Sequence, residues 1–189
     1  MMRLPNIVKR EEGFTLVELV VTMAILAILV TVAIGVISFG TRMMAQQRTQ
    51  SNADMLADTV RTNVIDVIDQ ASASDKITIA ADGASITVYV SNTSAYRASG
   101  TYRIYNKTGD GAGQVWIERV GDASQGPYDI VPDSTYIDDF NVTCSFAQKE
   151  GSDHIIEMTT TVTDANGNEY THVVTDVNPV NKPTIEIGS

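Results

Sequence analysis

The stretch Lys9-Arg10-Glu11-Glu12-Gly13-Phe14-Thr15-Leu16-Val17-Glu18 opens onto a long apolar run, and its reading decides the fold. From Leu19 to Thr41 no residue is charged. Those roughly 23 positions are enough to cross a bilayer as a helix. Arg3, Lys9 and Arg10 precede the run, so the positive-inside rule puts that end in the cytoplasm and the rest of the chain outside. A cleaved secretory signal would have a shorter apolar core followed by an Ala-x-Ala-like site. Ser38-Phe39-Gly40-Thr41 is not one, so the span is expected to be retained. Glu18 sits just inside the run, where a charge costs roughly 2.5 to 3.5 kcal/mol at mid-span and less near the interface, so a partner is expected for it.

Working outward, Leu56, Val60, Val64, Val67 and Ile68 recur at helical spacing with Asp58, Arg61, Asn63 and Asp66 between them. No proline interrupts Phe14 to Ser72. One continuous helix of about 59 residues, on the order of 88 Å, is predicted, apolar all round in its first half and amphipathic in its second. Gln70-Ala-Ser-Ala-Ser-Asp75 is its expected stop. Past Lys76 the pattern changes to short segments rich in Val, Ile, Thr and Tyr, predicting strands at 76–80, 84–91, 101–106, 114–120, 135–147, 154–163 and 169–176. Asp82-Gly83 and Asn166-Gly167 suit tight hairpin turns. The fold class is α+β: a long amino-terminal helix, transmembrane in its first half, packed on an antiparallel β-sheet. The expected divisions are a leader at 1–13, a span at 14–41, an amphipathic half-helix at 42–75 and an extracytoplasmic β-rich domain at 76–189.

With 189 residues there is room for one sizeable domain plus an anchor. A net charge of -10 argues against direct nucleic-acid binding, which draws on clustered Lys and Arg. Cys144 is the only cysteine, so no intramolecular disulfide forms, and without a flanking His or Lys it reads as a small packed residue.

The quoted stretch and the apolar run behind it resemble the type III signal of type IV prepilins. The resemblance implies that a membrane aspartyl prepilin peptidase cuts between Gly13 and Phe14 and that the new terminus of Phe14 is N-methylated. Glu18 then becomes the fifth residue of the mature chain. Independently of the family, removal of Gly13 leaves a positive amine on Phe14 one helical turn from the negative Glu18. In stacked, axially offset subunits, Glu18 of one can meet the Phe14 amine of the next, which would make Glu18 an assembly register. Many major pilins have a proline in this helix. Here Gly35 stands without one, and it permits either local stretching or close helix packing.

The resemblance implies a structural subunit of a type IV pilus or of a type II secretion or competence-type pseudopilus. The implied partners are other pilin or pseudopilin subunits, prepilin peptidase, an inner-membrane assembly platform and membrane lipid. The size of the body resembles the larger minor pseudopilins of the J type, which implies a low-copy subunit. The absence of paired cysteines departs from the disulfide-bounded loop of many major pilins. The alternative is a tip-located adhesin or substrate-binding module on the same anchor.

No catalytic constellation, metal site or cofactor is predicted. Asp164-Ala-Asn-Gly-Asn-Glu169 places its glycine fourth rather than sixth, so it reads as a hairpin turn and not a calcium loop. Lys107-Thr-Gly-Asp-Gly-Ala-Gly113 lacks the Gly-Lys-Ser/Thr ending of a phosphate loop and reads as a connection, with Asp110 a weak calcium candidate. His154 and His172 have no ligand-type neighbours at suitable spacing. Trp116, between Val115 and Ile117, reads as a core or sheet-face residue. Asn92, Asn106 and Asn141 begin glycosylation sequons that a bacterial setting leaves unused.

Overall fold

A computed structural model describes residues 15–71, 75–91, 98–109, 113–122, 126–136 and 138–188. Gly13 and Phe14 therefore lie outside the described residues, as does Asp110. The chain divides into two compact units with the boundary between Gln46 and Gln47, which falls inside the helix α1, Leu16–Asp69.

In the first unit the residues of α1 are almost all exposed. The helix is long and apolar enough to cross a membrane, judged on length and composition. Its threonines satisfy their hydroxyls on the preceding turn: Thr22 donates to the Glu18 carbonyl at 2.8 Å, Thr31 to that of Ala27 at 2.8 Å and Thr41 to that of Ser38 at 3.0 Å. Back-bonding of this kind lets hydroxyls face an apolar medium without an orphaned donor. A Cβ added at Gly35 would meet nothing within 4 Å.

In the second unit the predicted stripe is buried. Leu56, Val60, Val64, Val67 and Ile68 are joined by Ala53 and Ala57. The helix ends sooner than the absence of proline predicts, because Gln70 and Ala71 donate to Val67 and Ile68, three residues back, tightening the last turn. Ala71 then bridges to Val90.

Nine strands follow among the described residues: β1 Lys76–Ile79, β2 Ser85–Val90, β3 Gly100–Asn106, β4 Val115–Arg119, β5 Tyr128–Asp129, β6 Asn141–Gln148, β7 Ile156–Thr163, β8 Glu169–Val177 and β9 Thr184–Ile187. They form two sheets, β5-β4-β3-β2-β1-β9 and β6-β7-β8. All pairings are antiparallel except β1 with β9. The α+β class holds, with the sheet in two parts. Ile86, Val88, Ile104 and Ile117 of one sheet and Val142, Phe146, Ile156 and Met158 of the other share one core with the helix stripe.

Two expectations change. The strand predicted over 135–147 begins at Asn141, because Asp138 and Asp139 take positive φ of 62° and 54°, a left-handed conformation no strand continues through. The strands β5 and β9 add to those predicted. Both expected hairpin glycines do turn left-handed, Gly83 at φ 70° and Gly167 at φ 82°.

The two sheets are stitched along the outer edge of β6. The N–H of Val142 donates to Gly113 O at 2.7 Å, that of Phe146 to Gly83 O at 2.8 Å and that of Cys144 to Asn106 Oδ1 at 2.8 Å. Asn106 Nδ2 returns a bond to Cys144 O at 2.8 Å, so one side chain acts as a strand neighbour for the middle of β6. Because 142, 144 and 146 point away from β7, alternation along the ladder turns 156, 158, 160 and 162 toward β8, where their partners are 177, 175, 173 and 171. Residues 170, 172, 174 and 176 then direct their backbone groups outward, and Tyr170 O accordingly accepts from Gln50 Nε2 at 2.9 Å.

Candidate functional site

Glu18 lies in the first turn of α1 and is bonded locally. Thr15 N and Thr15 Oγ1 donate to Glu18 Oε2 at 3.3 and 3.2 Å, while Glu18 N donates back to Thr15 Oγ1 at 3.3 Å. This is a capping box, Thr-x-x-Glu, which satisfies two donors that the start of a helix leaves orphaned. Its spacing is visible in Thr15-Leu16-Val17-Glu18, yet a reading of Glu18 as a charge in search of a partner passes over it. The cap holds the carboxylate by Oε2 and puts negative charge at the positive end of the helix dipole.

The other candidates are accounted for without chemistry. Asp164 Oδ1 accepts from the N–H of Asn166 at 2.8 Å and of Asn168 at 2.9 Å, and Oδ2 accepts from Asn168 Nδ2 at 2.8 Å. The acid thus organises its own hairpin. These bonds, the Asn168 side chain first, hold its carboxyl below the usual carboxylate range. A lowered folded value means that the contribution to stability is present above the unfolded pKa, about 3.9, and fades as pH falls through the folded one. Asp164→Asn should therefore reduce the loss of urea midpoint between about pH 5 and pH 3, a change readable in equilibrium unfolding.

Among the described residues no group of three His, Cys, Asp or Glu is placed to hold a metal ion. His172 Nδ1 lies 3.3 Å from Thr161 Oγ1, and His154 Nδ1 is 3.4 Å from Pro183 O. Cys144 is buried, and burial pushes its thiol up to about 12. Trp116 lies on the outer face of the larger sheet, with Lys107 Nζ 3.6 Å from its ring centroid. Asn106 spends its amide on Cys144, and Asn141 Nδ2 is 3.4 Å from Asp164 O.

Comparison with known proteins agrees with the amino-terminal reading. Residues 8–34 match the family model of the prokaryotic N-terminal methylation motif. No curated protein and no solved structure matches the chain. That motif, leading into a helix long and apolar enough to span a bilayer and a β-rich body, supports a prepilin of the type IV pilin and pseudopilin type.

Proposed function

We propose that the chain is a structural, non-catalytic subunit of a type IV pilus or of a type II secretion or competence-type pseudopilus. It is made as a precursor, cut by prepilin peptidase between Gly13 and Phe14 and N-methylated at Phe14. The observation that carries this is the methylation motif over residues 8–34, running directly into an exposed apolar helix. On this reading the helix first anchors the subunit in the cytoplasmic membrane with its amino terminus inside and the β-rich body outside. It then passes into a filament core.

Glu18 has two successive jobs in this scheme. Before assembly its carboxylate closes the cap with Thr15. In the filament it meets the Phe14 amine of a neighbouring subunit, so that two charges in an apolar medium compensate each other. The size of the body favours a low-copy position.

Intact-mass and peptide analysis of protein from membranes and from sheared surface material is the test. The expected result is a mature chain that begins at N-methylated Phe14 and is present in the sheared fraction. An uncut amino terminus in both fractions would reduce the chain to a signal-anchored surface protein.

A further inference from the structure

Between α1 and the edge strand β8 lies a groove of about 310 Å³ lined by Asp54, Ala57, Asp58, Arg61, Thr171 and Val173. Its acids are in different states. Asp58 is ion-paired with Arg61 one turn along the helix. Asp54 has its Oδ1 fixed by Thr171 Oγ1 at 2.6 Å and Gln50 Nε2 at 3.2 Å, while its Oδ2 takes no partner among the described residues. The groove thus holds an oriented, exposed carboxylate beside the apolar side chains of Ala57 and Val173. It suits one long cation whose stem is apolar and whose head is planar.

The complementary group is on the same helix. Between Leu19 and Ala53 the chain has two charged residues, Arg42 and Arg48, and no acid. In the rest of the described chain Arg61, Lys76, Arg103, Arg119 and Lys149 are ion-paired, Lys107 covers Trp116, and Lys182 is exposed but ends in an ammonium rather than a planar head. Arg48 is exposed and forms no ion pair among the described residues. It cannot fold onto its own chain's Asp54, because six residues along a helix place the two about 9 Å apart on different faces.

We propose that the groove at Asp54 seats Arg48 of a second copy of this chain. The proposal rests on the filament reading above and sharpens it. A heterologous contact, in which the patch offered differs from the patch received, propagates into an open helical filament rather than closing into a dimer. The base precedes the acid by six residues here and by four in the Phe14 to Glu18 pair, so both contacts call for a neighbour displaced in the same direction along the axis, by about 9 and 6 Å. Repeated contacts between identical copies favour a place along the shaft over the low-copy position that the size of the body suggests.

The test uses the full chain in its native host. Arg48→Glu and Asp54→Arg, made singly and together, are compared with wild type by immunoblot of membrane and sheared fractions, the mature chain in the membrane fraction reporting folding. Each single variant should reach the membrane fraction at the wild-type level yet fall at least tenfold in sheared filaments, and the combined variant, in which the charges are exchanged, should recover in part. Wild-type incorporation of either single variant, or no recovery in the combined one, overturns the proposal. Absence of correctly cut wild-type protein from sheared material overturns the filament reading itself.

Discussion

Glu18→Ala is expected to leave the proposed cut between Gly13 and Phe14 intact but to lower the share of the protein in sheared filaments by about tenfold or more. An unpaired charge costs roughly 2.5 to 3.5 kcal/mol at mid-span and less toward the interface, and about 1.4 kcal/mol already corresponds to a factor of ten. Gly13→Ala has the opposite signature, accumulation of full-length precursor in the membrane. Immunoblots that separate precursor from mature chain in membrane and sheared fractions read both outcomes. Alanine alone confounds two roles, because Glu18 also caps the helix through Thr15. Glu18→Gln separates them: glutamine serves a capping box but carries no charge. Loss of incorporation in the glutamine variant isolates the charge. Incorporation at the wild-type level would discard the register role and leave Glu18 a cap.

Asn106→Ala is expected to destabilise the body by about 2 to 4 kcal/mol. The side chain satisfies both backbone groups of Cys144, a residue 1% exposed, and nothing in alanine replaces them. Each buried polar group left without a partner costs about 1 to 3 kcal/mol. Asn106→Asp keeps the acceptor for Cys144 N–H and loses the donor to Cys144 O, so its cost should also be substantial. Urea unfolding followed by fluorescence of Trp116, the single tryptophan, measures both. The midpoint should fall with little change in slope, and a loss under about 0.5 kcal/mol would show that water replaces the amide at no cost.

These two residues mark the limits of what the sequence conveys. The apolar run, the stripe from Leu56 to Ile68 and the alternation of Ile86, Val88 and Val90 are local patterns, and each is found where periodicity puts it. The cap at Thr15 is equally local. Asn106, by contrast, looks like any polar residue at a strand end, and its role exists because β6 passes beside it 38 residues later. The same holds for β5, two residues defined by pairing with Trp116 and Ile117, and for β9, a four-residue segment after Pro183 that is a strand because β1 lies alongside. The over-long strand at 135–147 is a different failure. The apolar residues Tyr136 and Phe140 continue a strand-like composition across Asp138 and Asp139, whose left-handed backbone ends it. At the candidate site, Glu18 was legible as a charge out of place, while the groove beside Asp54 needed β8 to be brought against the helix.

The parallel pairing of β1 with β9 also bears on the order of events in export. Lys76 and Thr184 are register partners more than a hundred residues apart, and Gly188 N closes the pair onto Ile79 O at 2.7 Å. The larger sheet therefore keeps an unfinished edge until Ile187 has emerged. Contacts that close so long a loop form slowly, because chain entropy is lost before pairing compensates for it. In the export proposed above, this lateness keeps the larger sheet open while the preceding strands are threaded, and the sheet gains its outer strand once Ile187 has followed.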